Sequence, residues 1–170
     1  AYNYRANRMA ALIAEKIGEN PFPYLQETEK IGKALETTLW LSSKGHWAEY
    51  KDFMGLKRLH ESAAVWTVYH AIDSEVGDEF QWYQATQYID REIPHIPVKA
   101  KGLEDEGYQT ISTTNWLPYS WSINNVAFAE VMQTSLSYFQ AGRYENGFQL
   151  LKSSILDGMY LGGSPGNFGQ

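Results

Sequence analysis

GHWAEYKDFMGLKRLHESAAVWTVYHAID, residues Gly45 to Asp73, is the stretch whose reading decides the fold. Its second half spaces Val65, Val68, Tyr69 and Ile72 at helical intervals. A helix over Glu61–Asp73 with that stripe buried is therefore predicted. Trp66, His70 and Asp73 fall at i, i+4 and i+7, on a face opposed to the aliphatic one. Such a helix suits the wall of a cavity. The competing reading makes His70 and Asp73 an intrahelical hydrogen bond and Trp66 a core residue. The first half lies between Gly45 and Gly55 and reads as a loop with a short turn of helix, over Ser42–Leu59.

Working outward, Arg5–Ile17 is predicted as a helix with Met9, Leu12, Ile13 and Ile17 along one side. Gly18 fits its C-terminal stop, and NPFP at 20–23 breaks that helix. A second helix is expected over Thr28–Leu41, burying Ile31, Ala34, Leu35, Thr38 and Leu39. Asp78 reads as the N-cap of a fourth helix ending near Glu92. Pro94 and Pro97 make the following segment extended, and Tyr108–Thr113 alternates as a short strand. Ser122 is the expected cap of a helix over Ile123–Ala141, with Val126, Ala127, Val131, Leu136 and Phe139 available for burial. Gly142 closes it, and a sixth helix carries Phe148, Leu151, Ile155 and Met159 towards Leu161. The expected class is all-α: helical hairpins with long loops and at most one short β-hairpin. Residues 1–170 are read as a single domain, or as a fragment of a larger catalytic one.

Composition narrows the function. The 170 residues suffice for one domain with a sizeable core. A net charge of −6 without a basic run argues against a nucleic-acid groove. Cysteine is absent, which removes disulfides, thiolate zinc sites and a Cys nucleophile. No apolar run reaches the ~20 residues of a membrane span. The opening without Met and the loop-like close, SPGNFGQ, read as the ends of a piece of a longer protein. His60, His70 and His95 lack the compact two-His spacing of a hydrolytic zinc site. No phosphate loop, dinucleotide fingerprint or nucleophile elbow occurs. Neither metal nor cofactor is expected.

The remaining signal is aromatic. Aromatic residues make up 15% of the chain, and flat rings beside hydroxyl-binding side chains are what a sugar needs. In Trp47-Ala48-Glu49-Tyr50-Lys51-Asp52 two carboxylates stand three residues apart. Glycoside cleavage requires one carboxyl to protonate the leaving oxygen and another to activate water or attack. Residues this close in sequence rarely make that pair, which in inverting enzymes spans ~6.5–9.5 Å. One of them as catalyst is the better expectation. Glu49, Asp52 and Asp73 are thus the candidate catalytic groups. Candidate substrate contacts are Trp47, Tyr50, Trp66 and His70. A second aromatic loop, NWLPYSW at 115–121, adds Trp116, Tyr119 and Trp121, followed by Asn124 and Asn125. Its alternative reading is a hydrophobic plug between helices. Gln81, Gln84, Tyr88 and Arg91 share a helical face that reads as solvated, with hydroxyl recognition as the alternative.

WAEYKD, LHESAAVWTVYHAIDS, FQWYQATQYIDREIPHIP and STTNWLPYSWSINNVAFAE together resemble the catalytic domains of large glycosidase-like proteins built on the six-hairpin (α/α)6 toroid. The likeness is to an uncharacterised Bacteroidetes family associated with glycan-utilisation loci, and it runs from about Leu41 to Gln170. The resemblance implies inner and outer helices whose loops at one end form a sugar pocket. It maps the acid onto Glu49 or Asp52. Six helices would make half of a twelve-helix toroid, so the second carboxylate is expected elsewhere in a longer chain. Some toroidal arabinofuranosidases use a Cys–zinc nucleophile, which this sequence cannot supply. The function implied is an inverting glycoside hydrolase in the bacterial periplasm, at the cell surface or secreted. Its partners would be carbohydrate and the rest of its own chain, not nucleic acid. The alternative is a non-catalytic helical-repeat module that binds sugar or serves as scaffold. AGRYENGFQLLKSSI resembles the second half of a tetratricopeptide-like unit, although no second copy at a ~34-residue period is present.

Overall fold

The computed structural model describes residues 1–99, 102, 104, 106–116 and 125–160. Among them are six α-helices and three two-stranded antiparallel ladders. The mainly-α class is as expected. The single short hairpin is not, because three ladders are found where at most one was expected.

Helix α1 spans Tyr2–Ile17 and ends at Gly18, whose φ of 79° is left-handed and whose amide caps Ala14 and Glu15. Glycine carries no Cβ penalty there. Helix α2 spans Phe22–Thr38, six residues earlier than the sequence suggested. Pro21 and Pro23 lie at its very start, where a missing N–H leaves no bond unmade. The two prolines follow the end of α1, as expected, and also open α2.

The segment read as a loop with a helical turn contains two ladders. β1 (Trp40–Leu41) pairs with β2 (His46–Trp47), and β3 (Tyr50–Lys51) pairs with β4 (Leu59–His60). Helix α3 spans Val65–Asp73 and begins four residues later than predicted. Ala63 and Ala64 are held extended instead. The Tyr88 hydroxyl bonds both the N–H and the carbonyl of Ala63, and Val65 N–H donates to Thr113 O. Helix α4, Glu79–Glu92, has the predicted Asp78 cap. Asp78 accepts from Gln81 N–H while the Gln81 side chain accepts from Asp78 N–H, a capping box.

β5 (His95–Pro97) pairs with β6 (Gln109–Ile111). Helix α5 is Phe128–Gln140 and α6 is Tyr144–Ile155, the latter running into a π-turn at Leu156–Tyr160. The predicted cap at Ser122 lies outside the described residues. Helices α1 and α2 form one tightly packed pair and α5 and α6 another, while α3 packs more on α5 than on α4. Val65, Val68, Ile72, Ile89, Ile111 and Val131 are almost fully buried and make the centre of the core.

Two predicted stripes face outward. On α1 the buried residues are Ala11 and Ala14, while Met9, Leu12, Ile13 and Ile17 are all at least half exposed. On α6 the buried positions are Gly147, Leu150, Ser153 and Ser154, while Phe148, Ile155 and Met159 are exposed. The small side chains permit close helix approach. The Ser135 hydroxyl donates to Gly147 O at 2.7 Å, and a Cβ on Gly147 would stand 3.0 Å from the Phe139 ring. No helix among the described residues is long and apolar enough to cross a membrane.

Candidate functional site

Four of the predicted residues meet in one pocket. Trp47 and Glu49 come from β2 and the turn after it, and Trp66 and His70 from α3. Leu35, Leu39, Val76 and Tyr2 complete a mostly apolar lining around about 230 Å³. Trp116 meets Trp66 edge-on, with centroids 6.1 Å apart and planes at 88°.

Glu49 is fixed by the start of α3. Its Oε1 accepts from Trp66 Nε1 at 2.6 Å. Its Oε2 accepts from the N–H of Ala64, the N-cap, at 2.9 Å, and from the Thr67 hydroxyl. Helix α3 has no side-chain cap of its own, so a carboxylate fifteen residues upstream satisfies donors at its N-terminus. The partial positive charge of that helix end favours an anion. His70 faces the same pocket. Its Nε2 lies 3.3 Å from the Tyr2 hydroxyl, and its ring packs against Tyr2 and Tyr69. Burial holds His70 below the ordinary histidine range. The Tyr69 phenol is pushed up, first by burial and then by its hydrogen bond to Glu130.

The other candidates lie elsewhere. Asp52 belongs to the β3–β4 hairpin. Its Oδ1 is 2.8 Å from His60 Nε2, and its Oδ2 accepts from Arg58 N–H at 3.2 Å. Asp73 is paired with Arg5 of α1. Neither lines the Trp47–His70 pocket, so the three candidate catalytic carboxylates do not share it. The intrahelical His70–Asp73 bond is not formed, since each side chain reaches α1 instead. Tyr50 is exposed and stacks on His60 at 4.1 Å. Asn125 is buried, and its Oδ1 accepts from Val126 N–H at 2.9 Å. That bond braces the backbone ahead of α5. Tyr119, Trp121 and Asn124 lie outside the described residues. Gln81 and Tyr88, read as part of a solvated face, are buried at 9% and 4% exposure, the first in the capping box and the second against Ala63.

The histidines are also dispersed. His60 meets Asp52, His70 meets Tyr2, and His95 Nδ1 lies 2.8 Å from Ile93 O. No group of three or more His, Asp or Glu side chains among the described residues is placed to hold a metal ion. His46 is almost fully buried, stacks on Tyr88 at 3.8 Å and has Nε2 2.7 Å from Glu61 O. It was not among the candidates, because its partners Glu61 and Tyr88 are distant in sequence.

The larger concavity is one that reading the sequence missed. A cleft of about 1110 Å³ lies between the β5–β6 hairpin and the α5–α6 pair. Carboxylates of Asp90, Glu106 and Glu145 line it with the rings of Tyr108, Phe139 and Tyr144. Asp90 is held by the Tyr138 hydroxyl and by Arg143, each at 2.5 Å. Lys152 of α6 bonds both Glu106, at 3.1 Å, and the Tyr108 hydroxyl. The signal in the sequence was RYENGFQ, which places Tyr144, Glu145, Phe148 and Gln149 at helical neighbours. Read as a repeat motif, it gave no hint of a cleft. Compared with known proteins, the sequence matches no family model and no curated protein.

Proposed function

We propose that the protein binds carbohydrate and takes part in glycoside hydrolysis, as three hairpins of a six-hairpin (α/α)6 toroid. The observation that carries this reading is the convergence of Trp47, Glu49, Trp66 and His70 on one pocket, with Trp116 against Trp66. At about 230 Å³ the pocket is below the ~300 Å³ of drug-sized sites, which accords with a single sugar ring. The partly exposed Trp66 would stack on the ring and His70 would bond a hydroxyl, while Trp47, buried in the core, closes the floor of the pocket. The toroid is supported by the packing of α3 on α5, alternate helices in the chain, as an inner layer requires. It is supported too by the apolar stripe of α1, which faces outward from the first pair. A neighbouring hairpin of the same longer chain would cover it. Water-exposed stripes of this size are otherwise unfavourable.

Inverting hydrolysis needs a second carboxylate across the substrate from the acid. Glu49 is the only one of the three candidates on the pocket wall, so its partner would come from the rest of the chain. A periplasmic, cell-surface or secreted location in a bacterium goes with this proposal. The test is calorimetry against a panel of mono- and oligosaccharides, paired with reducing-sugar release. Saccharide binding lost in Trp66→Ala and turnover lost in Glu49→Gln are expected. Turnover undiminished by Glu49→Gln removes Glu49 from the chemistry.

One observation favours a second reading, a non-catalytic sugar-binding module. Both oxygens of Glu49 are already occupied by donors from α3. Saccharide binding without any released product would establish that alternative.

A further inference from the structure

The cleft between the β5–β6 hairpin and α5–α6 shares no lining residue with the Trp47–His70 pocket and has nearly five times its volume. Its walls are tied together. Lys152 on α6 reaches across to Glu106 and Tyr108 on the hairpin side, and Arg143 and Tyr138 hold Asp90. The width of the cleft is therefore set before any ligand arrives, which lowers the cost of binding.

The chemistry of the lining selects a ligand class. Tyr144 and Phe148 are 66% and 56% exposed and stand on one wall. Such rings offer flat apolar platforms. Gln109, Asn146 and Gln149 line the same space, and their side chains make no hydrogen bond to other described residues. An amide both donates and accepts, as a sugar hydroxyl does. The charges present are mostly neutralised in place. Asp90 is paired with Arg143 and Glu106 with Lys152, while Glu145 makes no ion pair among the described residues. The field is thus mildly negative, which disfavours phosphate, sulfate and uronate groups.

We propose that this cleft is a second saccharide site, which takes a neutral oligosaccharide of several rings. Its ligand class rests on the carbohydrate reading above. The smaller Trp47–His70 pocket holds one ring, and the cleft supplies the chain-length dependence of binding. Tyr144 and Phe148 stack, and Asn146 and Gln149 bond hydroxyls.

The experiment is a calorimetric titration of the protein, of Tyr144→Ala/Phe148→Ala and of Trp66→Ala. The probes are the hexaoses of cellulose, xylan, mannan and starch, with glucose, xylose and mannose as single-ring controls and an oligogalacturonate as the anionic control. Both rings are exposed, so the double variant keeps its fold, which its thermal transition verifies. At least one hexaose is expected to bind more than tenfold tighter than its monosaccharide, with that advantage lost in the double variant. A hexaose affinity that only Trp66→Ala reduces overturns the cleft proposal and leaves the carbohydrate reading standing. No measurable binding of any sugar overturns both. Preference for the oligogalacturonate overturns the neutral ligand class.

Discussion

Replacing Glu49 by alanine removes the acceptor that organises the start of α3, and the structure sets the size of the loss. Three donors lose their partner: Ala64 N–H, Trp66 Nε1–H and the Thr67 hydroxyl. Bonds to a charged group are worth ~1.5–3 kcal/mol when buried. Glu49 is only half-buried, so about 1 kcal/mol each is appropriate. The interaction with the helix N-terminus adds roughly 0.5 kcal/mol. The sum is about 3.5 kcal/mol, which for a chain of this length lowers Tm by about 10 °C. Circular dichroism at 222 nm over a thermal ramp measures it. Thr67→Ala should lower Tm by less, and the double variant should lose less than the two single losses combined, because the two side chains are bonded to each other. Asp52→Ala, which loses only partners in an exposed hairpin, should cost under ~1 kcal/mol. A Tm in Glu49→Ala within 2 °C of the parent would refute the anchoring role. A carboxylate held in the pocket only for catalysis predicts that result, since removing a catalytic group commonly leaves stability unchanged or improved.

Acid should destabilise the fold through two histidines. Burial holds both His46 and His70 below the ordinary value of 6.5, so above pH about 6.5 their full contribution is present. As pH falls below that value the unfolded chain binds protons that the folded one refuses, and stability drops. Urea midpoints from pH 8 to 5 should show the decline, and His46→Gln should flatten part of it. Gly77→Ala should cost about 2 kcal/mol, because φ there is 76° and a Cβ would stand 2.9 Å from the Trp47 ring and press on the capping Gln81. Its urea midpoint measures this. Ile72→Ala removes a side chain that is 1% exposed at the centre of the core. It should cost ~2–5 kcal/mol, read by the same denaturation.

What the sequence disclosed was what local chemistry controls. Helix α4 was predicted with its cap because Asp78 and Gln81 act within one turn. Gly18 stopped α1 for the same kind of reason. The ladders between Trp40 and His60 were missed because each has only two residues per strand, too short for a period of two to register. The start of α3 was misplaced because Ala63 is held by a tyrosine twenty-five residues away. The stripes of α1 and α6 were visible as stripes. Which side they face depends on neighbours, and small residues such as Ala11 and Gly147 won the interior by allowing close approach. At the candidate site, Trp66 and His70 were legible from helical spacing. Asp52 and Asp73 lie off that pocket because their partners, His60 and Arg5, come from other segments, which helical spacing does not show. The α5–α6 cleft needs three separate segments to exist, so no single stretch announces it.

The contacts of Glu49 are also close in sequence. Its bonds to Ala64, Trp66 and Thr67 close loops of only 15 to 18 residues, and the Tyr88 clasp on Ala63 closes one of 25. Loops this short close in well under a microsecond, long before contacts between distant segments are made. The stretch from β1 to α4 can thus gather as one early cooperative unit around Val65, Val68 and Ile72. Helix α1 joins it across 68 residues through exposed pairs such as Arg5–Asp73. Amide protons of α3 should therefore exchange with deuterium near the rate of global unfolding, while those of α1 exchange through a cheaper, separate opening.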